Sequence, residues 1–243
     1  MRYSVLLLVI LLLSCKKDRN AAGSPIDGRN TGYAAHELLS ADSYSSLQVE
    51  VSYMPGFAPD AAALTSLQSF LQSRLHKPGG ISIRTQPIAA STNSILGAGE
   101  LPAIESSVRT LHSGNGVATV HVLYTNGSYS NASVLGVAYG GTSLAIFGKT
   151  IHDNSGGLGQ TSRTKLEATV LEHEFGHLLG LVDIGTEMRT PHKDPNGTAH
   201  CTNSNCLMYY AVETTDVLGF LISGPVPVLD AACLQDLQGN GGK

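Results

Sequence analysis

The stretch HEFGHLLGL at residues 173–181 constrains this chain more than any other part of it. It sets His173 and His177 four residues apart with Glu174 beside the first. On a helix, positions i and i+4 share one face at roughly 5–6 Å between Cβ atoms. Two imidazoles held so can reach one zinc ion at Zn–N distances of about 2.0–2.1 Å. Leu166, Val170, Leu171, Phe175, Leu178 and Leu179 surround the pair at the spacing of a buried helix stripe. Ser162 or Thr161 can cap the start of that helix, and Gly180 can end it in the left-handed conformation.

The pattern is the HExxH arrangement of zinc hydrolases, in which the Glu is general base. Catalytic zinc takes three protein ligands and a water, so a third ligand must follow Gly180. Here the chain resembles the metzincin clan of metalloproteases, whose motif is HExxHxxGxxH followed by a Met-containing turn. His173, Glu174, His177 and Gly180 match, but the last position is Asp183. Asp stands there in snapalysin-like members. In matrixins and archaemetzincins the third His lies eight residues before the Met of the turn, the separation of His200 and Met208. The spacing of Cys201, Cys206 and Met208 also resembles archaemetzincins. This alignment needs an inserted loop between Gly180 and His200, and the intervening sequence has the Pro, Gly, Asn and Asp of one. His200 is the favoured third ligand, with Asp183 and His192 as alternatives. The resemblance implies that Met208 lies beneath the metal without ligating it, and that Tyr210 stabilises the oxyanion. It also implies an α/β fold of zincin type: a mixed, mostly parallel sheet, the motif helix, and a small C-terminal subdomain closed by a helix.

The start of the chain suggests where it goes. Arg2 precedes an apolar run, Val5–Leu13, too short to span a bilayer and suited to a signal segment. Leu12-Leu13-Ser14-Cys15 resembles a bacterial lipobox, which implies cleavage before Cys15, lipidation of that residue and anchoring at the cell envelope. Residues 1–14 are then the signal peptide and 15–46 a flexible tether, within which AAHELLSAD forms a helical turn against the domain. Residues 47–243 are one catalytic domain, split at 180 into upper and lower subdomains. The size suits a single core, and the net charge of −4 without a basic run gives no footprint for nucleic acid. Export would permit a Cys201–Cys206 disulfide, leaving Cys233 unpaired; a structural metal on the two thiolates is the alternative. No cysteine-switch sequence is visible. Oligomeric state is not legible.

Alternation and periodicity place strands at Leu47–Tyr53, Ile81–Ile88 and Val117–Tyr124, and one or two over Val134–Phe147, interrupted by Gly140-Gly141. Helices are expected at Pro59–His76, Glu100–His112, about Ser162–Leu179, and from a cap at Asp230 to about Gln238. Alternating elements of this kind make a largely parallel α/β sheet. The resemblance gives Val134–Phe147 the edge strand above the cleft, where an extended peptide substrate would pair. The group His152-Asp153-Asn154 reads as a flexible connection. The expected activity is a membrane-anchored zinc endopeptidase acting on peptide or protein. Its rivals are a non-catalytic zincin-fold lipoprotein, as adhesin or binding component, and a gluzincin using Glu187 or Glu213 as ligand.

Overall fold

The computed structural model describes residues 25–196, 199–215, 221 and 224–243. The expected signal segment, Cys15 and the first part of the tether lie outside these residues. Five strands form one sheet: β1 (Ser46–Tyr53), β2 (Ile81–Pro87), β3 (Val117–Thr125), β4 (Gly136–Gly140) and β5 (Ser143–Phe147), in the order β2-β1-β3-β5-β4. All pairings are parallel except that of β4 with β5, so β4 is an antiparallel edge. β3 and β5 are buried along nearly their whole length, as strands covered on both faces must be.

Helices flank the sheet. α2 (Ala61–Arg74) starts at Asp60, whose Oδ1 accepts from the Ala62 and Ala63 amides at 2.9 and 3.1 Å. It packs beside α5 (Arg163–Leu178) on one face, where Val120, Val122, Tyr124, Leu144 and Ile146 meet Leu67, Leu71, Val170 and Phe175. The alternate residues Leu123 and Ala145 face the other side and pack with Leu101 of α3 (Glu100–Val108). α6 (Ala231–Gly239) closes the chain, with Asp230 accepting from the Cys233 amide at 2.9 Å. A further short helix, α4 (Gly148–Asp153), replaces the flexible connection expected at His152–Asn154. His152 there packs its ring 5.1 Å from that of Phe57. No helix among the described residues is long and apolar enough to cross a membrane.

The expectation of a flexible tether to residue 46 fails over its described part. Ile26, Leu38 and Leu39 are fully buried in the main core, and α1 (Ala35–Leu39) forms where a helical turn was expected. Asp27 takes hydrogen bonds from the Ser113 amide and hydroxyl at 2.9 and 2.6 Å, and Arg29 pairs with Glu37 at 2.7 Å. The buried Lys77 ammonium donates to the carbonyls of Glu37 at 2.8 Å and Tyr44 at 2.7 Å. A few apolar residues with long-range polar partners are enough to order a segment whose composition reads as linker.

The buried Glu50 on β1 anchors the connection after α3. Burial works to raise its pKa. Hydrogen bonds from the Thr110 hydroxyl, the Leu111 amide, Arg84 and the Thr110 amide outweigh this and hold it at about 2 against an ordinary 4.5. A depressed folded-state pKa adds stability above the unfolded value and loses it as pH falls through the folded one. Glu50→Gln should therefore destabilise the protein at neutral pH. Its deficit relative to wild type should fade between about pH 4.5 and about pH 2, as read by denaturant melts.

Candidate metal centre

α5 carries the motif as the sequence leads one to expect. Of the two candidate caps, Ser162 serves: its hydroxyl accepts from the Lys165 amide at 3.2 Å. At the other end the Gly180 amide donates to the His177 carbonyl and the Leu181 amide to the Gly176 carbonyl, both at 3.0 Å. This closing motif needs φ of +76° at Gly180, and a Cβ there would stand 2.6 Å from the Thr186 nitrogen. Every residue of α5 from Leu166 to Leu178 is buried.

The imidazoles of His173 and His177 face each other across one turn, Nε2 to Nε2 at 3.0 Å. His200 joins them from a separate loop, its ring 5.5 Å from that of His173 and 5.3 Å from that of His177. Its backbone is fixed between the Asp194 amide, which donates to the His200 carbonyl at 2.8 Å, and the Cys201 amide, which donates to the Met208 carbonyl at 2.7 Å. The two alternative third ligands go elsewhere. Val182 and Asp183 both adopt left-handed backbone, φ +56° and +68°, which turns the chain away after Gly180. Asp183 consequently points outward, 51% exposed, and pairs with Lys193 at 3.3 Å. His192 is buried against Asp236, Nε2 to Oδ2 at 2.7 Å.

Met208 is fully buried against α5: a Cβ on Gly176 would lie 2.3 Å from its Sδ. The adjoining Leu207 carbonyl accepts from His173 Nδ1 at 2.7 Å. That bond puts the proton of His173 on Nδ1 and leaves a lone pair on Nε2, the side facing His177. Tyr210 stands on the 3-10 turn Tyr210–Glu213, 42% exposed, its ring 4.6 Å from that of Tyr209.

The same turn brings in a group that sequence reasoning placed only as a gluzincin rival. Glu213 Oε2 lies 3.4 Å from His200 Nε2, 3.9 Å from His173 Nε2 and 4.0 Å from His177 Nε2. No motif spacing marks it; only the closing of the 3-10 turn delivers it. Burial raises the Glu213 pKa, but the close imidazoles of His200 and His173 outweigh burial and lower it. Burial lowers His173 to about 4 and drives His177 well below its ordinary value, so both rings are neutral and offer lone pairs. Glu174 is fully buried, and neither carboxyl oxygen meets a hydrogen-bond partner of good geometry. Burial, with the Glu213 charge adding, pushes it well above the usual carboxylate range; the Ala138 amide on β4 offsets a part.

These donors fit a zinc-type cation. The ligand atoms of His173, His177, His200 and Glu213 all lie within 4.8 Å of one another. Ligands on a tetrahedral zinc stand about 3.3 Å apart, from bonds near 2.0–2.1 Å. His177 Nδ1 and His200 Nε2 are buried without a good hydrogen-bond partner, as are both Glu174 oxygens. Such a concentration of unpaired polar atoms is costly unless an ion or water completes it.

A second group could also hold a metal: His192, Cys201, Asp230 and Cys233 have ligand atoms within 4.8 Å of one another. The expected Cys201–Cys206 bridge does not form. All three described cysteines are free: Cys201 Sγ faces His192 Nδ1 and Asp230 Oδ2, each at 3.4 Å, while Cys206 Sγ faces Cys233 Sγ at 3.6 Å. The Cys233 hydrogen bond lowers Cys206 to about 7, whereas burial pushes Cys201 up to about 12.

No protein-family model matches this chain, and no curated protein matches it. Among solved structures it is similar to an archaemetzincin from Methanopyrus kandleri, at 14% identity and a TM-score of 0.48 over 81% of this chain and 96% of the other. It is also similar to metalloproteinase-II from Bacteroides fragilis, at 16% identity and a TM-score of 0.45 over 82% of this chain; it spans 54% of that protein.

The contact between Gly176 and Met208 yields a test. Gly176→Ala should destabilise the protein by about 1–3 kcal/mol through overpacking. Met208→Ala in the same chain should relieve that clash, so the double variant should lose less than the sum of the two single ones. Thermal or urea unfolding of the three variants reads this directly.

Proposed function

We propose that this protein is a zinc-dependent endopeptidase, held at a bacterial cell envelope through a lipidated Cys15. The observation that carries the catalytic part is the pairing of three converging imidazoles with a fully buried, unpartnered Glu174 on the next residue of the same helix. A carboxyl group in that setting costs stability. Its chemistry explains it better than its packing.

His173, His177 and His200 would hold the ion, with His173 oriented by the Leu207 carbonyl. A bound zinc ion supplies a Lewis acid for a carbonyl oxygen and acidifies a water. Glu174 accepts a proton at a carboxylate oxygen as water attacks, then returns it to the leaving amine nitrogen. β4, the edge strand whose Ala138 amide lies near Glu174, offers backbone groups to an extended peptide. Tyr210, exposed at the start of the 3-10 turn, is the proposed phenol donor to the oxyanion once a substrate draws it in.

Lipid anchoring rests on the Leu12–Cys15 pattern after an apolar run.

Glu174→Gln should keep zinc at near-wild-type stoichiometry and lose peptide hydrolysis by at least a hundredfold. Metal analysis and cleavage of a quenched-fluorescent peptide library check the two halves. Undiminished turnover in the variant would refute the mechanism. Tyr210→Phe should lower kcat with little change in KM.

A further inference from the structure

Glu213 has no place in the mechanism above, yet it sits where a fourth ligand would. Its Oε2 is 3.4–4.0 Å from the Nε2 atoms of His173, His177 and His200, comparable to the separation of donors sharing one tetrahedral ion. Backbone bonds hold it there. The Val212 amide donates to the Tyr209 carbonyl at 3.0 Å, closing the turn, and the Val212 side chain is buried. The Leu135 amide donates to the Glu213 carbonyl at 2.8 Å, and the Thr215 amide to the Ser133 carbonyl at 2.9 Å. Val134 and Thr214 thus form an antiparallel bridge just before β4. Within β4 the Thr31 hydroxyl donates to the Ala138 carbonyl at 3.2 Å, and just past its end the Gly141 amide donates to the Arg29 carbonyl at 2.8 Å. The edge on which an extended peptide would pair is therefore met by the chain itself before, within and after β4.

A dication held by imidazoles alone would carry its full charge into a buried site, and the Glu213 carboxylate beside the three rings would offset part of it. Four protein donors, however, make a closed site, whereas a catalytic site keeps one position open.

We propose that Glu213 is a fourth protein ligand of the same metal, closing the resting site until a bound peptide displaces the Tyr210–Thr215 segment from Ser133–Leu135. On release the Leu135–Glu213 and Thr215–Ser133 backbone hydrogen bonds would break, Glu213 Oε2 would leave as carboxylate, and one water would take its place. The side chain is 28% exposed, so an outward path exists. The inference rests on the metalloenzyme reading, and the experiment separates the two.

The test uses the full chain stripped of metal, comparing wild type with Glu213→Gln and Glu213→Asp. Zinc is titrated against a chromogenic chelator, cobalt(II) spectra are recorded, and peptide hydrolysis is measured; unfolding of the apo forms controls for folding. Loss of the ligand should weaken zinc binding at least tenfold in Glu213→Gln and shift the cobalt visible bands. The same variant should hydrolyse peptide faster at saturating zinc, and Glu213→Asp should fall between the two. Equal zinc affinity and identical cobalt spectra in wild type and Glu213→Gln would overturn this inference and leave the proposed function standing. Weaker zinc binding with slower hydrolysis would overturn the closing role. A wild-type chain that takes up no zinc, or whose zinc binding is indifferent to His177→Ala, would overturn both.

Discussion

The thioether of Met208 lies against α5 at Gly176, where any side chain would collide with its sulfur. That contact ties the motif helix to the loop that follows the inserted segment. One residue earlier, the Leu207 carbonyl fixes the His173 ring. One hydrogen bond from the Cys201 amide to the Met208 carbonyl then positions the residue after His200. Two imidazoles on a helix are local structure; the third is placed only because the Met208 loop is seated under them.

The groups gathered at this site are expensive to bury. Glu174, His177 and His200 bury polar atoms without good partners, while β4 and the 3-10 turn exclude solvent around them. The core is large enough to carry this cost, since α2, α5 and three strands bury an unbroken apolar interior on the same face. Depressed imidazole pKa values are the visible consequence: burial keeps His173 and His177 neutral, the state in which they can donate to a cation.

Much of the fold was legible because its periodicities are strong. The alternation in Leu47–Tyr53 and Val117–Tyr124, and the stripe through Leu166–Leu179, correspond to β1, β3 and α5 with shifts of a residue or two at the ends. The interruption at Gly140-Gly141 separates two strands, and their antiparallel pairing makes β4 the edge. The segment 25–46 was misread because its few buried residues are scattered among linker-like ones, and their partners lie far away in sequence. The cysteines were misread for a similar reason. Cys201 and Cys206 are close in sequence, but their sulfurs point to different neighbours, set by α6 and His192.

The sequence by itself determined the HExxH face, the helix that carries it and its Gly180 terminus, because these follow from spacing within one segment, and the largely parallel sheet, because strands and helices alternate along the chain. Only the tertiary structure brings His200, rather than His192 or Asp183, beside the helical pair, since that placement depends on how the loop after Gly180 turns. Left-handed backbone at Val182 and Asp183 sends the carboxylate to solvent, and Asp236 captures His192. Glu213 was beyond reach of any motif for the same reason. Its position beside three imidazoles is set by a two-residue bridge to Ser133–Leu135, a long-range pairing that no local pattern encodes.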